Sequence, residues 1–203
     1  VATRSSRSGG LWLSMADGLH HFENGQFTRS FTNIAGVPAN RTSFAFEDHE
    51  GRLWFRCQGV GAPPFDWTWR RLDPRTGELV ELETLVPGVP SEAADLTEDS
   101  AGRLWLSGPG VLFRCSNGAL SRYSLRSAIG ENYPGLLAPD NEGGIWFRPA
   151  GYPGVLRFFG GEVTRYGKEQ GWTWRTSVTC CPTAKATSGS APAAACSGSN
   201  HAG

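Results

Sequence analysis

An all-β chain built from repeated four-stranded antiparallel units is the fold class this sequence predicts, and three observations predict it. One nine-residue pattern recurs: Glu47 to Phe55 reads EDHEGRLWF, Glu98 to Leu106 reads EDSAGRLWL, Pro139 to Phe147 reads PDNEGGIWF, and Ser5 to Leu13 is a weaker copy. The tryptophans of these copies, Trp12, Trp54, Trp105 and Trp146, lie 42, 51 and 41 positions apart. That is the period of a propeller blade and too short for an independent domain. Finally, 27 Gly, 13 Pro and 8 Trp beside a single Met favour a turn-rich β protein over a helical one.

Within each copy the shared core is Asp-x-x-Gly-x-(Leu/Ile)-Trp-(Leu/Phe). The acid and the Gly three positions on suit a tight turn, since Asp bonds its own downstream backbone and Gly accepts positive φ. Apolar residues follow at once on both faces, as in Leu53-Trp54-Phe55, which is expected of a strand sandwiched between neighbouring blades. One buried Trp per blade would supply a ring of large core anchors.

Taken in order, blade one reads as starting mid-repeat, with Leu11 to Ser14 an inner strand, Leu19 to Phe22 the next, and Gln26 to Phe31 an outer strand after the turn Glu23-Asn24-Gly25. The same second half recurs at 112–123 and 156–166. Arg29, Arg122 and Arg165 on those last strands read as edge residues with solvated heads. Blade two carries an insertion from Cys57 to Trp69, which explains the longest spacing, and then the turn Asp73-Pro74-Arg75-Thr76-Gly77. Residues 35–40 and 86–90 join blades and are too short to be domain boundaries. The predicted organisation is a partial propeller over residues 1–176, about four blades in an open arc because so few blades do not close without strain.

From Ser177 to Gly203 there is no Phe, Trp, Tyr, Leu or Ile. Such a segment cannot bury enough apolar area to offset chain entropy, so a disordered tail is expected. A slipped reading frame is the alternative: shifted by one base, codons compatible with Val178 to Asn200 can spell another copy of the repeat, its Trp about 42 positions after Trp146.

With the turn motif and the later aromatic strand in place, the chain resembles the two-component regulator propeller repeats. These occur in the periplasmic sensor regions of bacterial histidine kinases, including hybrid two-component systems. The resemblance rests on Glu47-Asp48, Gly51-Arg52-Leu53-Trp54 and their copies, with Gly18-Leu19 and Phe22, and covers roughly residues 1–170. It departs from the family after the Trp, where Arg56-Cys57, Ser107-Gly108 and Arg148-Pro149 stand in place of Gly-Thr. It implies a ligand-sensing propeller on the periplasmic or extracellular side of the inner membrane. It also implies further blades and a downstream membrane and kinase region outside this chain.

Nineteen basic residues balance nineteen acidic ones, so no nucleic-acid partner is expected. No apolar run approaches a membrane span, no signal-peptide pattern opens the chain, and the absent initiator Met suggests a fragment. His20-His21 and His49 lack zinc-site spacing, and Cys57 and Cys115 stand apart, so neither a metal nor another cofactor is expected. Asp48, Asp99 and Asp140 fit turn structure better than a calcium or hydrolytic ring, and the sialidase Asp-box spacing differs by one residue. The expectation is therefore a sensor module that is not itself an enzyme, with a glycan-binding or glycan-degrading propeller as the alternative.

A ligand site is expected at the end of the blades opposite the Asp turns, where the insertion and the blade connections converge. It collects Arg56, Gln58, Trp67, Trp69, Arg148 and Tyr152 with Asn40, Arg41 and Asn132, aromatic platforms and fixed cations suited to a small anionic molecule or an oligosaccharide. The competing reading is that Trp67 and Trp69 only pack the insertion onto its blade.

Overall fold

The computed structural model describes residues 2–7, 9–15, 17–34, 37–38, 42–58, 67–90 and 93–171. Expectations about Asn40, Arg41, most of the insertion and the segment 177–203 lie outside the described residues. Blade one contains β1 (Ala2–Ser5), β2 (Leu11–Met15), β3 (Gly18–Glu23) and β4 (Gln26–Phe31), and a short hairpin, β5 (Asn33–Ile34) with β6 (Val37–Pro38), leads out of it. Blade two contains β7 (Thr42–Glu47), β8 (Leu53–Gln58), β9 (Trp67–Leu72) and β10 (Leu79–Glu81), followed by the one-turn helix α1 (Leu82–Leu85). Blade three contains β11 (Leu96–Glu98), β12 (Leu104–Gly108), β13 (Val111–Ser116) and β14 (Ala119–Ser124), followed by α2 (Arg126–Ile129). Blade four contains β15 (Leu137–Pro139), β16 (Ile145–Phe147), β17 (Val155–Phe159) and β18 (Glu162–Tyr166).

Each blade is an antiparallel sheet in which sequence neighbours pair. The first strands of consecutive blades lie side by side, β1 on β7, β7 on β11 and β11 on β15, which makes them the inner strands of an open propeller arc. This corrects the reading of blade one: Leu11–Met15 is its second strand, and Ala2–Ser5 supplies the inner one. The sequence Ala-Thr-Arg-Ser has no apolar alternation, so only the backbone ladder to β2 marks it as a strand.

The repeated Trp joins each blade to the next. Leu53 and Phe55 face back into a cluster with Trp12 and Leu19, while Trp54 faces forward into Leu106, Val111 and Phe113. Trp105 does the same with Ile145, Phe147, Leu156 and Phe158. Trp12, Trp54 and Trp105 are each 2% exposed. Trp146 is only half-buried, contrary to expectation, because among the described residues no following blade covers it.

The turn chemistry explains why the Asp recurs. In blade three Asp99 Oδ1 accepts the backbone N–H groups of Ala101 and Arg103, both at 3.0 Å, and Oδ2 accepts Arg103 Nε–H and the Trp105 indole N–H, both at 2.7 Å. Asp48 repeats this with Glu50, Arg52 and Trp54. One carboxylate thus closes the turn, fixes the Arg and satisfies the buried indole. The glycine three positions on has positive φ in every copy, from 74° at Gly102 to 108° at Gly9.

Blade one has Ser6 where the others have Asp, and its carboxylate comes from the next blade. Glu47 Oε2 accepts Ser6 Oγ–H at 2.5 Å, Arg7 N–H at 3.1 Å and the Trp12 indole N–H at 2.9 Å. Glu98 reaches back in the same way, accepting His49 N–H at 2.8 Å, His49 Nδ1–H at 2.6 Å and Arg7 at 3.2 Å. That contact holds the His49 pKa above 6.5, through its hydrogen bond to Glu98 first and the charge of Glu98 second. The glutamates that precede the turn Asp therefore brace one blade to another.

Candidate functional site

The Asp turns occupy one end of the blades, so the end of β8 and the segments entering β9, β11 and β15 define the opposite end. There β8 brings Arg56 opposite Trp69 and Gln58 opposite Trp67 on β9. The Arg56 guanidinium lies 5.6 Å from the centre of the Trp67 ring. Its Nε–H is buried and has no hydrogen-bond acceptor among the described residues. Burial pulls its pKa below the ordinary guanidinium value, and the Tyr133 hydroxyl opposes that shift. Trp67 and Arg56 are thus a partly buried cation on an aromatic face, with Tyr133, 40% exposed, within electrostatic range.

Trp69 does not join them. It is 7% exposed, packs with Leu82, Val86 and Leu106, and donates its indole N–H to the Ala93 carbonyl at 2.9 Å. This corrects its expected role as a platform: alternation along β9 turns Trp69 into the joint between blades two and three while Trp67 stays at the strand end. Arg148 is exposed and donates Nε–H to the Tyr152 carbonyl at 3.3 Å, and the Tyr152 ring packs on the cluster between blades three and four. Asn132 caps the connection before blade four, with Nδ2–H donated to the Ile129 carbonyl at 2.9 Å and its own carbonyl accepting Gly110 N–H at 3.0 Å. Asn40, Arg41 and the side chain of Gln58 lie outside the described residues.

Two residues of this end were not among the expected site residues, although the connection up to Tyr133 was expected here. Tyr133 sits in a connection whose sequence has no repeat to mark it. Asp95, just before β11, accepts Leu137 N–H at 2.7 Å from blade four, and burial raises its pKa against the lowering effect of the Leu137 and Leu96 amides and of Arg4. The pair His20 and His21 has ordinary partners: His20 meets Ser30 Oγ and Asp17 Oδ1, and His21 meets Thr28 Oγ1 and the Gly9 carbonyl. Among the described residues no group of three His, Cys, Asp or Glu could hold a metal ion.

No family model matches the chain, and no curated protein matches it. Solved structures do. A gluconolactonase from Xanthomonas campestris superposes with TM-score 0.57 at 18% identity, over 81% of this chain and 60% of that one. Virginiamycin B lyase from Staphylococcus aureus, in a catalytically inactive form with quinupristin, gives 0.54 at 17% identity over 81% of this chain and 54% of the lyase. The extracellular domain assigned to a hybrid two-component system of Bacteroides thetaiotaomicron gives 0.53 at 18% identity over 86% of this chain and 23% of that domain. The shared feature is the β-propeller fold. At these identities the likeness extends to fold alone, and the chain spans about half to three fifths of the two enzymes. The enzymes nevertheless overturn the expectation of a non-catalytic module, because the same blade architecture carries catalysts. Among the described residues no helix is long and apolar enough to cross a membrane.

Proposed function

We propose that this chain is part of the ligand-sensing propeller of an extracytoplasmic domain in a bacterial two-component signalling protein, and that it meets its ligand at the loop end of the blades. The observation that carries this reading is the Arg56 guanidinium, partly buried, resting over Trp67, and without a carboxylate partner among the described residues. Such a cation favours an anionic or polyhydroxylated small molecule, with Arg148 and Tyr152 as further contacts. The repeat motif and the likeness to an extracellular two-component domain support the sensory setting.

A second reading has its own support. Asp95, with its raised pKa, stands at the same end and could take up a proton, so a propeller that acts on a lactone or sugar ligand fits the same surface. A panel of glycans, lactones and small anions, tested on the protein with the remaining blades supplied, separates the two. Saturable binding without turnover supports sensing, and turnover abolished by Asp95→Asn supports catalysis. Binding unchanged in a folded Trp67→Ala, Arg148→Ala double variant rules out this end as the site.

A further inference from the structure

In every blade the residue facing the repeated Trp on the third strand is basic: His21 faces Trp12, Arg71 faces Trp54, Arg114 faces Trp105 and Arg157 faces Trp146. What these side chains do depends on the motif position before the apolar pair. Blade four has Gly144 there instead of Arg, and Arg157 fills the space, donating Nε–H to Asp140 Oδ2 at 2.7 Å and a second N–H to Glu142 at 2.6 Å. A Cβ at Gly144 would lie 2.6 Å from Arg157 Nε, so there is room for one guanidinium at the turn carboxylate and no more. In blade three Arg103 already holds that place on Asp99. Arg114 is left without a carboxylate, its guanidinium 5.8 Å from the Trp105 ring centre and 5.4 Å from that of Tyr123, and its buried Nε–H has no acceptor among the described residues.

This surplus cation lines a cleft of about 400 Å³ between blades three and four, at the Asp-turn end and therefore apart from the loop-end site. Trp105, Tyr123 and Phe158, packed on one another with the Tyr123 and Phe158 ring centres 4.9 Å apart, form its floor, Phe159, 50% exposed, stands at its side, and Glu142 at the mouth shares the single charge of Arg157 with Asp140. We propose that this cleft binds a small aromatic carboxylate, its carboxylate taken by Arg114 and its ring by the exposed Phe159. A guanidinium fork matches a carboxylate in two parallel hydrogen bonds, and flat rings offset-stack on aromatic walls. The proposal is independent of the sensing reading, since it uses none of the loop-end residues.

Calorimetric titration of the full chain with benzoate, benzamide and inorganic phosphate tests it. Benzoate should bind, with benzamide weaker and phosphate weaker still. Arg114→Gln should weaken benzoate by about tenfold to a hundredfold, the cost of losing a charged hydrogen-bond partner. Arg71→Gln, which removes the equivalent cation of blade two, should leave binding unchanged. Phosphate binding as tightly as benzoate, or equal losses in the two variants, would overturn the proposal in favour of general charge attraction. If Arg114→Gln does not fold, the wild-type protein decides: benzoate must shift the Trp105 indole N–H resonance, and an unmoved resonance overturns the assignment.

Discussion

Replacing Asp99 with alanine isolates the repeat's central device. The Asp99 side chain is fully buried, and it accepts four hydrogen bonds from the Ala101 and Arg103 amides, Arg103 Nε–H and the Trp105 indole. Alanine leaves the indole N–H buried with no acceptor, which costs about 1–3 kcal/mol, and removes two turn hydrogen bonds of about 1 kcal/mol each. The Arg103 pairing adds under about 1 kcal/mol once discounted for a guanidinium that is 31% exposed. The sum is about 3–6 kcal/mol, overlapping the cost of breaking a buried ion pair from one side. Asp140, whose side chain is 22% exposed, lets water replace part of what is lost, so Asp140→Ala should cost about 1–2 kcal/mol. Urea unfolding followed by tryptophan emission reads both. A loss below about 1 kcal/mol for Asp99→Ala, or a larger loss at Asp140 than at Asp99, would refute the reasoning.

Trp105→Ala should destabilise by roughly 3–5 kcal/mol and Trp146→Ala by about half as much, because only the first is clamped between two blades; equal losses in thermal unfolding would contradict that. The raised pKa of His49 gives a contribution to stability that is fully present below pH 6.5 and is lost as pH rises through the folded value. His49→Gln should remove that slope from a plot of stability against pH. Burial pushes the Cys115 thiol up to about 12, so iodoacetamide at mildly alkaline pH should leave it unmodified in the folded protein, as peptide mass mapping would read. Trp69→Ala should cost about 3–5 kcal/mol while Trp67→Ala costs under about 1.5 kcal/mol, since one is core and the other sits at the strand end; a reversed order in the same urea assay would dismiss the distinction.

The blade repeat was legible because its signals are local and large: a turn acid, a glycine with positive φ, and a tryptophan on an otherwise apolar strand. The exposed positions of Arg29, Arg122 and Arg165 followed from the same hairpin reading. What escaped was carried by distance or by backbone. Glu47 and Glu98 look like members of a turn, yet their acceptors serve residues 35 to 91 positions away. β1 pairs through its ladder with no side-chain pattern, and α1 and α2 are one-turn helices too short for periodicity to register. Trp69 stayed open between a platform and a packing residue because the insertion hides which way β9 alternates, and that depends on the pairing of Gln58 with Trp67.

The two ends of the blades differ in how their charges are committed. At the Asp-turn end, Asp48 and Asp99 each hold a guanidinium and an indole, and Glu47 and Glu98 are spent bracing neighbouring blades. Altering any one of these groups loosens a joint, so this end can vary little without loss of fold. At the loop end, Arg56 leans on Trp67 without a carboxylate of its own among the described residues, and Asp95 is satisfied by backbone amides. Arg56 can meet a ligand without first breaking an ion pair, whereas Asp95 would first have to release an inter-blade hydrogen bond from Leu137. Arg114 is the exception at the braced end: Arg103 occupies the turn carboxylate before it, and Arg114 lines the cleft between blades three and four with its Nε–H lacking an acceptor among the described residues. A binding surface made of non-repeating connections, carried on blades whose joints are fixed at their other end, is how a repeat fold holds a site rigid while leaving its specificity to the loops.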